Sequence, residues 1–296
     1  MTIDQGITKE QDATDPGAAQ PDRRQRRWRR PSVLTTIALV LVVLFALAAL
    51  LAPLISPYDP FAISEAILEG PSSAHLLGTD DVGKDIASQL IYGARVSLFV
   101  GIAAGLGSLV IGLIVGGIAG YVGGAVDNML MRFAEVFQIM PAMLVALVIV
   151  AVIGRNSTLT ALAVIIALWP QSARIVRSQF LNLRTAEFVD AARISGTPAW
   201  RIIAFEIFPV AFAPAGVQAS LDVGRGMLLE AGLSFLGLGD PTTSSWGGVL
   251  RRAQPYLSDA WWFSVPAGIC IALMVLSFNV IGDALGNRGN NGRRAL

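Results

Sequence analysis

Charge is scarce in this chain. Asp, Glu, Lys and Arg make up 15% of its 296 residues, where a soluble domain carries roughly 25%. With 54% hydrophobic residues and a mean hydropathy of +0.61, this excludes an ordinary soluble domain and points to an integral membrane protein. Cysteine is almost absent: Cys270 stands alone inside an apolar run, so there is no disulfide framework and no pair of metal-ligating thiols. His75 is the single histidine, too little for a spaced metal site or for a nucleophile–histidine pair elsewhere. No phosphate loop exists either; Gly83-Lys84-Asp85 lacks both the glycine framework and the hydroxyl. Neither ATP hydrolysis nor covalent catalysis is expected of this chain, and no cofactor is expected on it. A net charge of +1 indicates no partner.

What the chain does have is long apolar runs. Val33–Ile55 is 23 residues without a charge, enough to cross a ~30 Å hydrocarbon core. Ala46-Leu47-Ala48 resembles a signal cleavage site, but signal h-regions run only ~7–15 residues, so the run reads as a retained helix. Five more spans follow, approximately 97–120, 129–153, 158–180, 208–236 and 262–285. The architecture is therefore an all-α bundle of six transmembrane helices. Its parts are a disordered cytoplasmic tail over 1–32, a first helix over 33–56, an external segment over 57–95, a five-helix core over 96–285 and a tail over 286–296. Six spans put both termini on one side. With the N-terminus inside, 16 of the 22 basic residues fall in the cytoplasm, including the block Arg23, Arg24, Arg26, Arg27, Arg29 and Arg30 beside Trp28. That bias obeys the positive-inside rule and places 181–206 in the cytoplasm. Trp246, Trp261 and Trp262 suit the outer interface, in an external loop, 237–261, rich in turn residues.

The cytoplasmic stretch 185–209 is not written like a loop. Thr185 can cap a helix, Glu187 suits its dipole, and Phe188, Ala191, Ala192 and Ile194 give it an apolar side. Gly196 is a natural stop, and Thr197-Pro198 can restart a helix, Thr as cap and Pro first. Such a helix either lies on lipid or docks into a groove on another protein.

Two spans carry further signals. Gly101/Gly105, Gly112/Gly116 and Gly116/Gly120 are small-xxx-small spacings that let helix backbones approach closely in lipid, against this chain or a second subunit. Gln218, Asp222 and Arg225 share one face of the 208–236 span. Intramembrane charges cost ~2.5–3.5 kcal/mol each and usually pair or line a polar path. Asp222 and Arg225 can pair with each other; the same face can line a translocation path. Pro141 should kink its span. On the intramembrane charges alone a secondary transporter or channel competes, although no internal repeat of the kind many such transporters carry is detectable.

Several motifs then converge: His75-Leu76-Leu77-Gly78-Thr79-Asp80-Asp81-Val82-Gly83-Lys84-Asp85, Gly93-Ala94-Arg95-Val96-Ser97-Leu98, and Glu230-Ala231-Gly232-Leu233-Ser234-Phe235-Leu236-Gly237-Leu238-Gly239. With Ser245-Trp246-Gly247 and Asn279-Val280-Ile281-Gly282-Asp283, they resemble the permease subunits of ABC importers for dipeptides, oligopeptides and nickel, in particular the second of the two paired permeases. The resemblance covers about 75–290. It implies a type I importer bundle with a cytoplasmic coupling helix at about 186–195, in which Asp190, Ala191, Ala192 and Gly196 occupy the signature and Pro209 its final proline. Asp190 replaces the usual Glu and Phe208 the usual Leu, keeping charge and apolar bulk. The resemblance thus assigns Glu187, Asp190, Ala191, Ala192, Arg193 and Gly196 to ATPase coupling. Asp222 and Arg225 stand where the family pattern is uncharged. The implied partners are a second paralogous permease, two cytoplasmic ATPase domains holding ATP and Mg, an extracytoplasmic solute-binding protein and membrane lipid, but no nucleic acid. The implied location is the bacterial inner membrane, and the implied cargo a peptide, nickel complex, glutathione or haem-like solute.

Overall fold

The computed structural model describes residues 32–293, with side chains to 287. The arginine block and tail over 1–31, the side chains of Arg288 and Arg293, and Arg294 lie outside the described residues. Helix α1, Val33–Leu50, starts where the Ser32 hydroxyl accepts from the Thr35 amide at 3.2 Å. Only Thr35, Ala38 and Ala49 of it are buried, as expected of a helix apolar all round that faces lipid. The short α2, Ala52–Ile55, leads into an outer segment that runs to α3, Ile86–Val122.

Helix α3 begins eleven residues before the apolar span that the sequence predicts. Its first turns are polar yet buried, because the outer segment folds onto them. Asp85 caps α3, accepting from the Ser88 amide at 2.8 Å, and its Oδ1 lies 3.0 Å from His75 Nδ1, where it accepts from the Nδ1–H tautomer. Gln89 donates to Asp80 at 2.8 Å, and Ser244 donates to the Gln89 carbonyl at 3.1 Å. Hydrogen bonds replace water for these groups, so hydropathy alone misses the turns they stabilise.

The next span is broken. Helices α4, Gly124–Ile139, and α5, Ala142–Ile153, meet at 85° across Met140-Pro141. Pro141 removes a backbone donor there. Phe133 and Phe137 of α4 pack on Trp169, beyond α5, with ring centroids 5.2–6.1 Å apart in the three-ring cluster.

Helix α6, Ser157–Leu183, is capped by Asn156. It runs parallel to α3: Gly107 faces Ile165, Gly112 faces Ser172, Gly116 faces Ala173 and Gly120 faces Phe180. Parallel neighbours need a return segment as long as themselves, and only α4 and α5 lie between them. The bent pair therefore counts as a span beside the five helices long and apolar enough to cross by themselves. Beyond α6 come α7, Glu187–Ile194, and α8, Ala199–Ile202. Helix α8 continues through a wide turn, Ile203–Ile207, into α9, Phe208–Phe235. Helix α9 packs antiparallel to α3, with Gly101 against Met227 and Gly105 against Ala219. It is also antiparallel to α11, Trp261–Arg293, where Ser220 donates to the Phe278 carbonyl at 2.8 Å.

The loop expected over 237–261 contains a helix, α10, Trp246–Ala253, capped by the Ser245 hydroxyl. Trp246 corrects the interfacial expectation: it is fully buried, and its Nε1 donates to the Leu90 carbonyl at 3.0 Å. Helix α10 is short and two-faced and folds back into the bundle, carrying its tryptophan with it. Trp261, by contrast, is exposed.

Candidate coupling surface and membrane polar face

At one end of the bundle, α7 is tied down by a single side of its surface. Val189, fully buried, joins Ile202, Ile207, Val176, Phe180 and Leu109 in one apolar cluster, which roots the helix in the bundle through one side chain. The other side is open: Glu187, Asp190, Ala191 and Arg193 are exposed and Ala192 half-buried. Asp190 and Arg193 form an exposed ion pair at 3.2 Å, worth no more than ~1 kcal/mol. Beside these charges lie large apolar groups in the open, with Ile194 88% and Trp200 66% exposed.

The helix stops as Gly196 requires. Gly196 has φ +76°; its amide donates to the Arg193 carbonyl at 3.0 Å, and the Thr197 amide to the Ala192 carbonyl at 3.1 Å. These are the two bonds of a Schellman ending. Its start differs from the sequence expectation. Ala186 is the cap residue, without a side-chain bond, and the Thr185 hydroxyl donates to the Asn182 carbonyl at 3.3 Å. Thr185 closes the last turn of α6 instead, because three residues place that carbonyl within reach. Likewise Pro198, not Thr197, occupies the cap position before α8.

Midway along the bundle, Asp222 is fully buried. Its Oδ2 accepts from Ser108 at 3.0 Å and Ser172 at 2.7 Å, and its Oδ1 from Gln218 at 2.8 Å. Thus Gln218 and Asp222 meet inside the bundle, between α3, α6 and α9. Arg225 lies at the edge of this cluster, 3.6 Å from Asp222 with its side chain 42% exposed, and donates to Gln171 at 2.5 Å. The sequence reading missed the three partners on other helices, since Ser108, Gln171 and Ser172 carry no pattern that marks them. Glu230 is also buried, accepting from Ser97 at 2.8 Å and Ser234 at 2.7 Å.

Gly101, Gly105, Gly112, Gly116 and Gly120 of α3 are all spent on packing within this chain. A Cβ at Gly101 would lie 2.5 Å from Met227, and one at Gly105 would lie 2.7 Å from the Ala219 carbonyl. Gly112, Gly116 and Gly120 meet α6 in the same way.

At the opposite end, α3, α10 and the outer segment share a polar cluster. Asp80, fully buried, faces Arg252 at 3.8 Å, and Arg252 also donates to Gln89. Burial lowers the Arg252 pKa below the usual arginine value, with Asp80 and Asp81 opposing that shift. Among the described residues no group of His, Cys, Asp and Glu is arranged to hold a metal ion.

A multi-pass helical bundle of this kind, with buried intramembrane polar groups and an outstanding amphipathic helix at one end, defines an integral membrane protein. Residues 112–290 match the family described as the binding-protein-dependent transport system inner membrane component, and the chain belongs to that family. It is 42% identical over 257 residues to the dipeptide transport system permease protein DppC of Escherichia coli strain K12, covering 84% of this chain and 86% of the relative. It is 38% identical over 271 residues to the DppC of Alkalihalophilus pseudofirmus, covering 90% and 89%. A putative peptide transport system permease of Brucella suis is 39% identical over 251 residues, with 84% of each chain covered. The chain is thus a multi-pass membrane transport protein and not a member of an enzyme family.

Proposed function

We propose that this chain is a transmembrane permease subunit of an ATP-driven importer, forming half of the path for di- or oligopeptides. The observation that carries this is α7: a helix rooted through Val189 with an exposed face of charges and large apolar groups, in a chain of the binding-protein-dependent transport family. The exposed Ile194 and Trp200 favour insertion into a cleft on a cytoplasmic ATPase over a purely solvated face. Glu187, Asp190, Ala191, Ala192, Arg193 and Gly196 form the coupling surface. ATP and Mg belong to that partner; this chain holds neither. Both termini and α7 lie in the cytoplasm on the positive-inside bias. An external binding protein then delivers peptide at the α10 end, and a paralogous permease completes the path. Arg225, partly exposed at the edge of the buried Gln218–Asp222 cluster, marks this chain's share of it.

The peptide class rests on the dipeptide and peptide transport permeases to which the chain is similar. The test is peptide uptake by proteoliposomes containing the permease pair, the ATPases and the binding protein. Uptake should require ATP hydrolysis and every subunit. Uptake by this chain alone, driven by an ion gradient and indifferent to ATP, would refute the reading.

A further inference from the structure

The surface of the bundle carries a polar strip that the buried Asp222 cluster does not account for. Arg225 on α9 donates to Gln171 on α6. One turn further along α6, Arg174 donates to Gln138 on α4. Gln138, Gln171 and Arg174 are exposed, and the Arg225 side chain is 42% exposed. Each guanidinium has five N–H donors, and each here is held at one edge by a neutral amide. Among the described residues Arg174 forms no ion pair, and only Arg225 has a carboxylate near it, at 3.6 Å. The strip therefore keeps a net positive charge and several unused donors.

Its depth matters. Gln171 stands about 20 Å from either end of α6, and Arg225 about 15 Å from the outer end of α9, at 1.5 Å per residue. Facing lipid there would cost ~2.5–3.5 kcal/mol for Arg225, so this face must meet something polar. A transported peptide fits. Its side chains vary, but every peptide with a free C-terminus presents the same carboxylate. Arginine is suited to that group, since its planar fork matches a carboxylate with two parallel bonds. The glutamines fix each fork without neutralising it.

We propose that Arg225 and Arg174, positioned by Gln171 and Gln138, accept the C-terminal carboxylate of the passing peptide. This inference rests on the peptide-permease reading and assigns that path a ligand chemistry. It also explains a cation where lipid would exclude one.

The test compares a tripeptide acid with the same tripeptide as its C-terminal amide, each taken up by the complete importer in proteoliposomes. The binding protein is common to all samples, so its own preference cancels when acid-to-amide ratios are compared. Arg225→Gln should lower the acid-to-amide uptake ratio about 10-fold, the loss expected for one charge-assisted pair. Arg225→Lys should retain part of the preference. Equal loss for acid and amide, or no change in either, would overturn the proposal.

A second measurement leaves both arginines in place. Gln171→Cys is labelled by a cationic thiol reagent in the assembled complex, with acid, amide or no peptide present. The acid alone should slow labelling. Labelling blocked without peptide would mean that the partner permease covers the strip, and a rate indifferent to the acid would mean that no carboxylate binds there. Either result sinks the proposal. Lack of ATP-dependent uptake by the unaltered importer would instead count against the peptide-permease reading, while the labelling result still decides the strip.

Discussion

At Gly116 two residue-scale effects oppose each other. Replacing a helix-interior glycine by alanine normally stabilises a helix by about 0.8–1 kcal/mol. Here, however, the added Cβ would lie 2.2 Å from the Ala173 carbonyl oxygen and 2.9 Å from Val176. A backbone atom cannot rotate aside, and overpacking of this kind costs typically 1–3 kcal/mol. The clash wins. Gly116→Ala should lower the thermal midpoint of the detergent-purified protein, and Gly116→Val should lower it further. Gly268 is the control, because a Cβ there meets nothing within 4 Å, and Gly268→Ala should leave the midpoint unchanged or raise it. If the two alanine variants behaved alike, the close approach of α3 to α6 would be refuted. The glycine spacing was legible in the sequence. Which neighbour it served was not, since spacing marks a face and says nothing of the helix opposite.

At the scale of the element, the stop of α7 was readable because Gly196 follows helix rules, but its buried side was not: Phe188, Ala191 and Ile194 are exposed and Val189 is the residue that packs. Nor was its beginning. Thr185 has the chemistry of a cap, but the last turn of α6 reaches far enough to accept its hydroxyl, and local competition of this kind leaves no mark in composition. The stop can be tested directly. Gly196 sits at φ +76° with nothing within 4 Å of a would-be Cβ, so a substitution there acts through backbone conformation alone. Gly196→Val places a β-branched residue in the left-handed region, at a cost of roughly 1–2 kcal/mol. The ending of α7 should open and its exposed face turn away from the ATPase. Substrate-stimulated ATP hydrolysis by the assembled importer should fall severalfold, while Gly196→Asn, which tolerates that conformation, should retain most of it. Equal activity in the valine variant would show that the turn does not govern coupling.

For the whole molecule, the six crossings were legible from apolar length, but the connections between their ends were not, because those depend on hydrogen bonds from residues far apart in sequence. Asp240 is the plainest case. It joins the turn before α6 to the loop after α9, accepting from the Ser157 amide at 3.0 Å and hydroxyl at 2.8 Å and from the Thr242 hydroxyl at 2.6 Å. Arg155 adds a bond to the Gly237 carbonyl at 3.2 Å. Burial raises the Asp240 pKa, but the hydrogen bonds from Thr242 and Ser157 outweigh it and leave the group below the usual carboxylate value. A carboxyl whose pKa is depressed on folding adds stability above its unfolded value, about 3.9. That contribution is lost as the pH falls through the lower, folded value. The latch should therefore hold unchanged from neutral pH down to about pH 4 and weaken below it. Asp240→Asn has no charge to lose, so its thermal midpoint should fall less than that of the unaltered protein between pH 7 and pH 3, although it starts lower. Parallel melting curves for the two proteins across that range would mean that Asp240 does not link these two outer loops.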